Sequence, residues 1–240
     1  MSNQALGRPG WLAVARDALA TAVFPQQCFA CGAASGSGVL CDACLAELPG
    51  RLAQRCPVCG IGQPLGEVCG ACLREPPPFE ATVAALDYGF PADRLIHALK
   101  YGHRLSVTRL LIDLMAAAPV PAADIVLPMP LHPARLQARG FNQAAELARP
   151  LAQRWGLPAL LDGVVRDLDT SPQASLPWKA RVANIRGAFR VTAPLAGMRV
   201  VVVDDVMTTG ATLAEFARAL KAAGAERVEN RVVARTPAPA

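Results

Sequence analysis

An α/β fold, built on a parallel sheet flanked by helices and preceded by a small cysteine-rich module, is what this sequence predicts. Three observations carry the prediction. In "RVVVVDDVMTTGATLAEF", residues 199–216, four valines in succession read as a strand buried on both faces, as in a parallel sheet. From residue 80 onward, strand-like and helix-like segments alternate. All eight cysteines lie ahead of that alternation, between residues 28 and 72.

Taken in chain order, the first segment is "WLAVARDALATAVF", where Trp11, Leu12, Ala15, Leu19, Ala22 and Val23 recur at helical spacing. Arg16 and Asp17 interrupt it, and it is too short to cross a bilayer. An amphipathic helix is therefore expected within residues 1–25, packed on its own protein, since few basic residues mark a membrane-facing rim. No secretory signal and no transmembrane segment are apparent, so the cytoplasm is the expected compartment. At 240 residues and 52% hydrophobic content, the chain can bury one good core plus an appendage, which argues against disorder. A net charge of +5, mostly from Arg, suits a phosphate-rich partner without requiring one.

Residues 26–78 hold an internal repeat. Each cysteine of "CFACGAASGSGVLCDAC" has a counterpart 28 residues on in "CPVCGIGQPLGEVCGAC" (28 to 56, 31 to 59, 41 to 69, 44 to 72). A C-x-x-C-G knuckle brings two thiolates to one ion, and a second C-x-x-C completes a tetrahedron. The repeat points to two four-sulfur sites, Cys28, Cys31, Cys41 and Cys44 in one and Cys56, Cys59, Cys69 and Cys72 in the other. Structural zinc is the expected occupant, ahead of a disulfide framework that a reducing compartment disfavours. A rubredoxin-like iron site uses the same ligands, and an interleaved pairing of the four knuckles satisfies the same spacing. Such a module has little core of its own and folds on its metal.

"REPPPFE", residues 74–80, marks the boundary to the large domain, 79–240. There the pattern predicts a strand over "ATVAALDY", helices over "ADRLIHALKYG" and "LSVTRLLIDLMAAA", and a strand over "DIVLPMP". A long helix follows over "FNQAAELARPLAQRW", then the valine strand, a helix from about Thr212 to Ala223, and a last strand "RVENRVVAR". Ligands of such sheets gather beyond the carboxyl ends of the strands, where Asp204 and Asp205 fall. The turn "MTTGAT" after them offers hydroxyls, an unhindered Gly210 and a helix start, which together cradle a phosphate. Neither the Walker A nor the G-x-G-x-x-G pattern is present. Two carboxylates repel phosphate but accept hydrogen bonds from vicinal hydroxyls, so the implied ligand is a ribose 5-phosphate.

"VVVVDDVMTTGATL" resembles the phosphoribosyl diphosphate (PRPP) motif of type I phosphoribosyltransferases. That resemblance implies PRPP binding by Asp204, Asp205, Thr208, Thr209, Gly210, Ala211 and Thr212, with Mg²⁺ accompanying the ligand. A narrower resemblance covers almost the whole chain. "LPMPLHPARLQARGFNQAAELA", "TSPQASLPWKARVANIRGAF" and "LIHALKYGH", preceded by paired zinc knuckles, look like the ComF family of competence-related proteins. By that resemblance the turn around Met129 to His132, with Pro130 and Leu131, occupies the diphosphate-loop position. Arg139, Asn142 and Gln143 would lie close to it, and residues Thr170 to Asn184 would form a mobile hood carrying Gln173, Lys179, Arg181 and Asn184. His97 and His103 read as structural. Membership implies a role in DNA uptake, or in the use of incoming single-stranded DNA, with DNA-uptake proteins as partners. The alternative is a salvage enzyme transferring phosphoribose from PRPP to a nitrogenous base. With 5% aromatics the chain shows no identifiable acceptor pocket, so the sequence does not decide between them.

Overall fold

The computed structural model describes residues 27–36, 38–51, 53–102, 104–168 and 185–237. The expected N-terminal helix, His103 and the hood residues Gln173, Lys179, Arg181 and Asn184 lie outside the described residues. Contacts divide the chain into two compact units, one ending at Leu48 and the other beginning at Pro49.

The two cysteine repeats fold alike. In the first, Gly32 N donates to Cys28 O at 2.8 Å, and a bridge pairs Gln27 with Ala34. In the second, Gly60 N donates to Cys56 O at 2.9 Å, and Arg55 pairs with Gly62. Both knuckle glycines have positive φ, 78° at Gly32 and 70° at Gly60, a conformation that side chains resist. Each second C-x-x-C starts a one-turn helix, α1 (Asp42–Ala46) or α2 (Gly70–Arg74), with Cys41 or Cys69 at its N-cap.

The second unit continues into a sheet of β1 (Ala81–Asp87), β2 (Ile125–Pro128), β5 (Arg199–Met207) and β6 (Arg227–Arg235). Its order is β1-β6-β5-β2 and every pairing is parallel. These are the four strands that the sequence pattern predicts. Helices α3 (Ala92–Tyr101), α4 (Leu105–Ala116), α5 (Pro133–Arg139), α6 (Gln143–Trp155) and α7 (Ala211–Ala222) fill the connections. Helix α6 packs on β2 and β5, α4 on β1 and β6, and α7 on β6. At the sheet's lower end, Asp124 accepts from the Arg199 backbone N–H at 2.8 Å and pairs with its guanidinium at 2.7 Å, which aligns the starts of β2 and β5.

Three features depart from the sequence pattern. An antiparallel hairpin of β3 (Val164–Arg166) and β4 (Phe189–Val191) forms on either side, in sequence, of the stretch to which the resemblance assigns a hood. Helix α5 forms in a stretch to which the sequence pattern assigns no element, because Pro133 at its first position and a His132 cap start it. Strand β5 runs on to Met207, so the two acids lie inside it rather than at its end.

Val200, Val202, Val228 and Val232 meet Phe216 and Leu220 of α7 in the main core. Phe216 is fully buried, its ring 4.9 Å from that of Phe189, so it joins the sheet's helix to the hairpin. Replacing Phe216 with Ala leaves a cavity at that junction. Denaturant melting is expected to show a loss of about 3–5 kcal/mol with both metal sites still loaded.

Candidate functional site

Asp204 and Asp205 are 8% and 5% exposed. Successive residues of a strand face opposite sides, which sets Asp204 on the face of Val200 and Val202 and Asp205 on that of Val201 and Val203. Asp204 Oδ1 accepts from the Asp205 backbone N–H at 2.8 Å. Asp205 Oδ2 lies 2.7 Å from Lys100 Nζ, at the last turn of α3. Burial raises the Asp204 pKa well above the carboxylate range; the neighbouring Asp205 adds to this, and Lys100 opposes it. Burial works against the Lys100 charge, but Asp205 beside it prevails and raises the lysine's pKa.

Lys100 carries no sequence signal of this role. A lysine in the last turn of a helix reads as a partner for the helix dipole, and only the fold brings it to Asp205. The one pointer was its place in "LIHALKYGH".

Beyond the acids, Thr208 and Thr209 are exposed, whereas Gly210, Ala211 and Thr212 are half-buried. Gly210 is the N-cap of α7, with φ at 85° and no side chain to satisfy the helix's first N–H groups. Thr209 Oγ1 makes a long contact with Ala211 N at 3.4 Å. An exposed turn with helix N–H groups behind it suits a phosphate, and any side chain at position 210 would strain the backbone. The structure thus brings the five loop residues to the same strand end as the acid pair.

The turn after β2 is held from below. Asn142 Nδ2 donates to Met129 O at 3.0 Å while its Oδ1 caps α6 at Ala144 N, 2.9 Å away. His132 Nδ1 accepts from Ala134 N at 3.3 Å, which caps α5 and leaves Nε2 for other contacts. Pro130 and Leu131 between them are half-buried. Gln143 is buried and its Oε1 accepts from Arg139, whose guanidinium also stacks 5.3 Å over the Tyr101 ring. Arg139 and Lys100 are close enough to repel each other. Asn142 and Gln143 therefore have scaffold contacts in addition to any with a ligand.

The cysteines assemble sequentially. The Sγ atoms of Cys28, Cys31, Cys41 and Cys44 lie within 4.8 Å of one another, and so do those of Cys56, Cys59, Cys69 and Cys72. The fold adopts neither the interleaved pairing nor disulfides, since all eight are free thiols. Cys31 and Cys41 sulfurs are 3.8 Å apart, and those of Cys59 and Cys69 are 3.6 Å apart. A tetrahedron with Zn–S bonds of about 2.3 Å has edges of about 3.8 Å, so both clusters fit zinc. Burial opposes ionisation of Cys56, but backbone N–H groups of Cys59, Cys69 and Val58 outweigh it and pull the thiol to about 7. In the first cluster the N–H groups of Cys41, Cys31 and Ala30 likewise override burial and bring Cys28 to about 6. Burial and hydrogen-bonded neighbours push Cys44 and Cys72 upward.

Residues 137–240 match the phosphoribosyl transferase domain family, and residues 19–73 match the double zinc ribbon domain family. The chain is 37% identical to the DNA utilization protein YhgH of Salmonella typhi, with 67% of this chain and 74% of that protein covered. It is 34% identical to the protein of the same name from Escherichia coli K12, over the same shares of both chains. Competence protein F of Haemophilus influenzae is 30% identical, with 64% of this chain and 72% of that protein covered.

Elemental analysis is expected to find about two zinc ions per chain, and Cys31→Ser about one, with melting of the larger unit unchanged. A second expectation concerns Asp204. Its raised pKa means the unfolded chain releases the proton first, so folding loses stability as pH rises past the usual carboxyl value of about 4. Asp204→Asn keeps the acceptor for Asp205 N–H and has no proton to lose. Melts should show no gain for this variant below about pH 4 and a gain that grows toward neutral pH.

Proposed function

The chain belongs to the ComF family, and on that footing we propose that it binds PRPP and serves DNA uptake or the use of incoming single-stranded DNA. The observation that carries the ligand reading is the acid pair of β5 beside an exposed turn that leads into a glycine-capped helix start. Asp204 and Asp205 accept hydrogen bonds from the ribose 2- and 3-hydroxyls, and Thr208 to Thr212 wrap the 5-phosphate. The β2 exit turn, Pro130 to His132, faces the diphosphate, which arrives with Mg²⁺ as part of the ligand. Lys100 and Arg139 supply positive charge near the acids, and Gln173, Arg181 and Asn184 close over the ligand from the hood.

The names of the relatives and a net charge of +5 support the nucleic-acid side of the reading. We assign the metal-ribbon role to residues 26–78 and the ligand role to residues 79–240, with an N-terminal helix in 1–25. Free thiols as metal ligands suit a reducing cytoplasm. No helix among the described residues is long and apolar enough to cross a membrane.

Calorimetry with PRPP–Mg²⁺ and, separately, with short single-stranded DNA tests both halves. A bond to a charged acceptor contributes about 1.5–3 kcal/mol and one to a neutral acceptor about 0.5–1.5 kcal/mol, so changing both Asp204 and Asp205 to Asn should weaken PRPP binding about a hundredfold. Single-stranded DNA binding should stay unchanged or tighten slightly, with a slope of about −0.7 in log K against log salt per phosphate contact. Parent-like PRPP affinity in the double variant would remove the acids from the ribose, and a flat salt response would remove the DNA contact. Release of diphosphate when a nucleobase is added would make the protein a transferase.

A further inference from the structure

Arg235, the last residue of β6, is 6% exposed and has no carboxylate among its described partners. Its guanidinium donates instead to four backbone carbonyls. Nε reaches Cys59 O at 2.9 Å, and Nη1 reaches Met207 O at 3.2 Å, Thr236 O at 2.8 Å and Thr208 O. Cys59 belongs to the second four-sulfur cluster, and Met207 and Thr208 open the turn that leads into α7. One side chain therefore ties a metal ligand's own backbone to the turn after the acid pair. Burial of an arginine is unfavourable unless its N–H groups are satisfied, and here the metal knuckle supplies one acceptor and the turn supplies two.

The knuckle is held against the sheet independently of Arg235. Thr82 N of β1 donates to Pro57 O at 3.0 Å, Arg55 Nη1 donates both to Gly60 O at 3.1 Å and to Asp87 Oδ1 at the end of β1 at 2.6 Å, and Val58 and Cys59 pack on the main core. A side chain at Gly60 would meet Thr82 Cγ2 at 3.1 Å, so the approach is close. Within the cluster the buried apolar contacts are those of Cys56, Cys69 and Cys72, with Val58, Cys59, Ile61 and Val68 beside them. The sheet thus anchors one side of the knuckle, while its own core is so small that a metal is needed to hold the four sulfurs, Cys59 among them, in one geometry.

We propose that Arg235 is a positioning residue that makes the order of the Thr208–Thr212 loop depend on the metal in the second four-cysteine site. With the metal bound, the Cys59 carbonyl stays where Arg235 can grip it, and the same guanidinium holds the Met207 and Thr208 carbonyls so that the loop N–H groups face outward. Without the metal, the knuckle loosens, Arg235 loses one fixed acceptor, and the loop loses its brace. The first cluster has no part in this, since the link runs through Cys59. The consequence for ligand affinity rests on the reading of this loop as the 5-phosphate site. The link itself does not.

Hydrogen exchange of the loop amides at 208–212 reads the link directly, and ribose 5-phosphate titrated by calorimetry reads its consequence. Stripping zinc from the parent should speed exchange in the loop about tenfold, within the usual range for two coupled sites. Cys31→Ser, which empties only the first cluster, should leave the loop as in the parent. Arg235→Lys keeps the charge but cannot fork between knuckle and turn. With both zinc ions bound, it should already exchange about tenfold faster and bind ribose 5-phosphate about tenfold more weakly, and stripping should add nothing further. Parent-like loop exchange in stripped parent or in Arg235→Lys overturns the proposal, as do effects of the two that multiply. If Arg235→Lys does not fold, stripped parent against Cys31→Ser decides: lost protection in the first alone supports the link, and equal behaviour of the two overturns it. A parent that shows the exchange coupling but binds no ribose 5-phosphate retains the link and sinks the phosphate reading.

Discussion

Two carboxylates sit inside β5, a strand whose other central residues are buried valines, and the ammonium of Lys100 is the cation the fold brings to them. A lone ionised acid there is strongly unfavourable, and two adjacent ones more so. The fold meets this in two ways: Asp205 has an ion pair with Lys100 at 2.7 Å, while Asp204 holds its proton more tightly than a free carboxyl. Around that pair the rest is arranged. Helix α3 ends where its last-turn lysine reaches β5, and the turn after β5 opens directly into α7. A stability optimum would place apolar residues at 204 and 205; acids there suit the ribose ligand proposed above.

The two cysteine repeats are alike in sequence and local geometry but unlike in what the rest of their unit gives them. The second belongs to the unit that begins at Pro49, and its knuckle carbonyls are used by Thr82, Arg55 and Arg235. Val58 and Cys59 share the main apolar core, so this cluster is part of the sheet's architecture. The first repeat lies in the other unit, and its Cys31, the counterpart of Cys59, is exposed. A duplicated metal ribbon thus has one copy built into the unit that holds the parallel sheet.

Much of the site was legible because it is local in the chain. Asp204 through Thr212 is one uninterrupted run in which strand, acids, hydroxyls, glycine and helix start succeed each other, so sequence order already is spatial order. The cysteine spacing is equally local, and its 28-residue repeat favoured the sequential pairing that the sulfurs adopt over the interleaved one. Less legible were residues whose work is divided. Asn142 reads as a ligand contact by resemblance, yet both ends of its amide are engaged, one at Met129 and one at the start of α6. Helix α5 has no buried residue, so no apolar periodicity announced it.

By itself the sequence determined the strands of the sheet, the eight metal-ligating cysteines and the chemistry of the acid and hydroxyl run, because each of these is encoded by residue types at short, fixed spacings, whereas the sequential pairing of the cysteine knuckles was settled by the fold. Only the tertiary structure decided that the acids are buried rather than solvent-facing, that Lys100 is their counter-charge, and that Arg235 joins the second metal knuckle to the turn beyond them. These are contacts between residues about 30 to 180 positions apart in the chain, and no spacing rule in the sequence reaches across a parallel sheet whose crossovers set which ends meet.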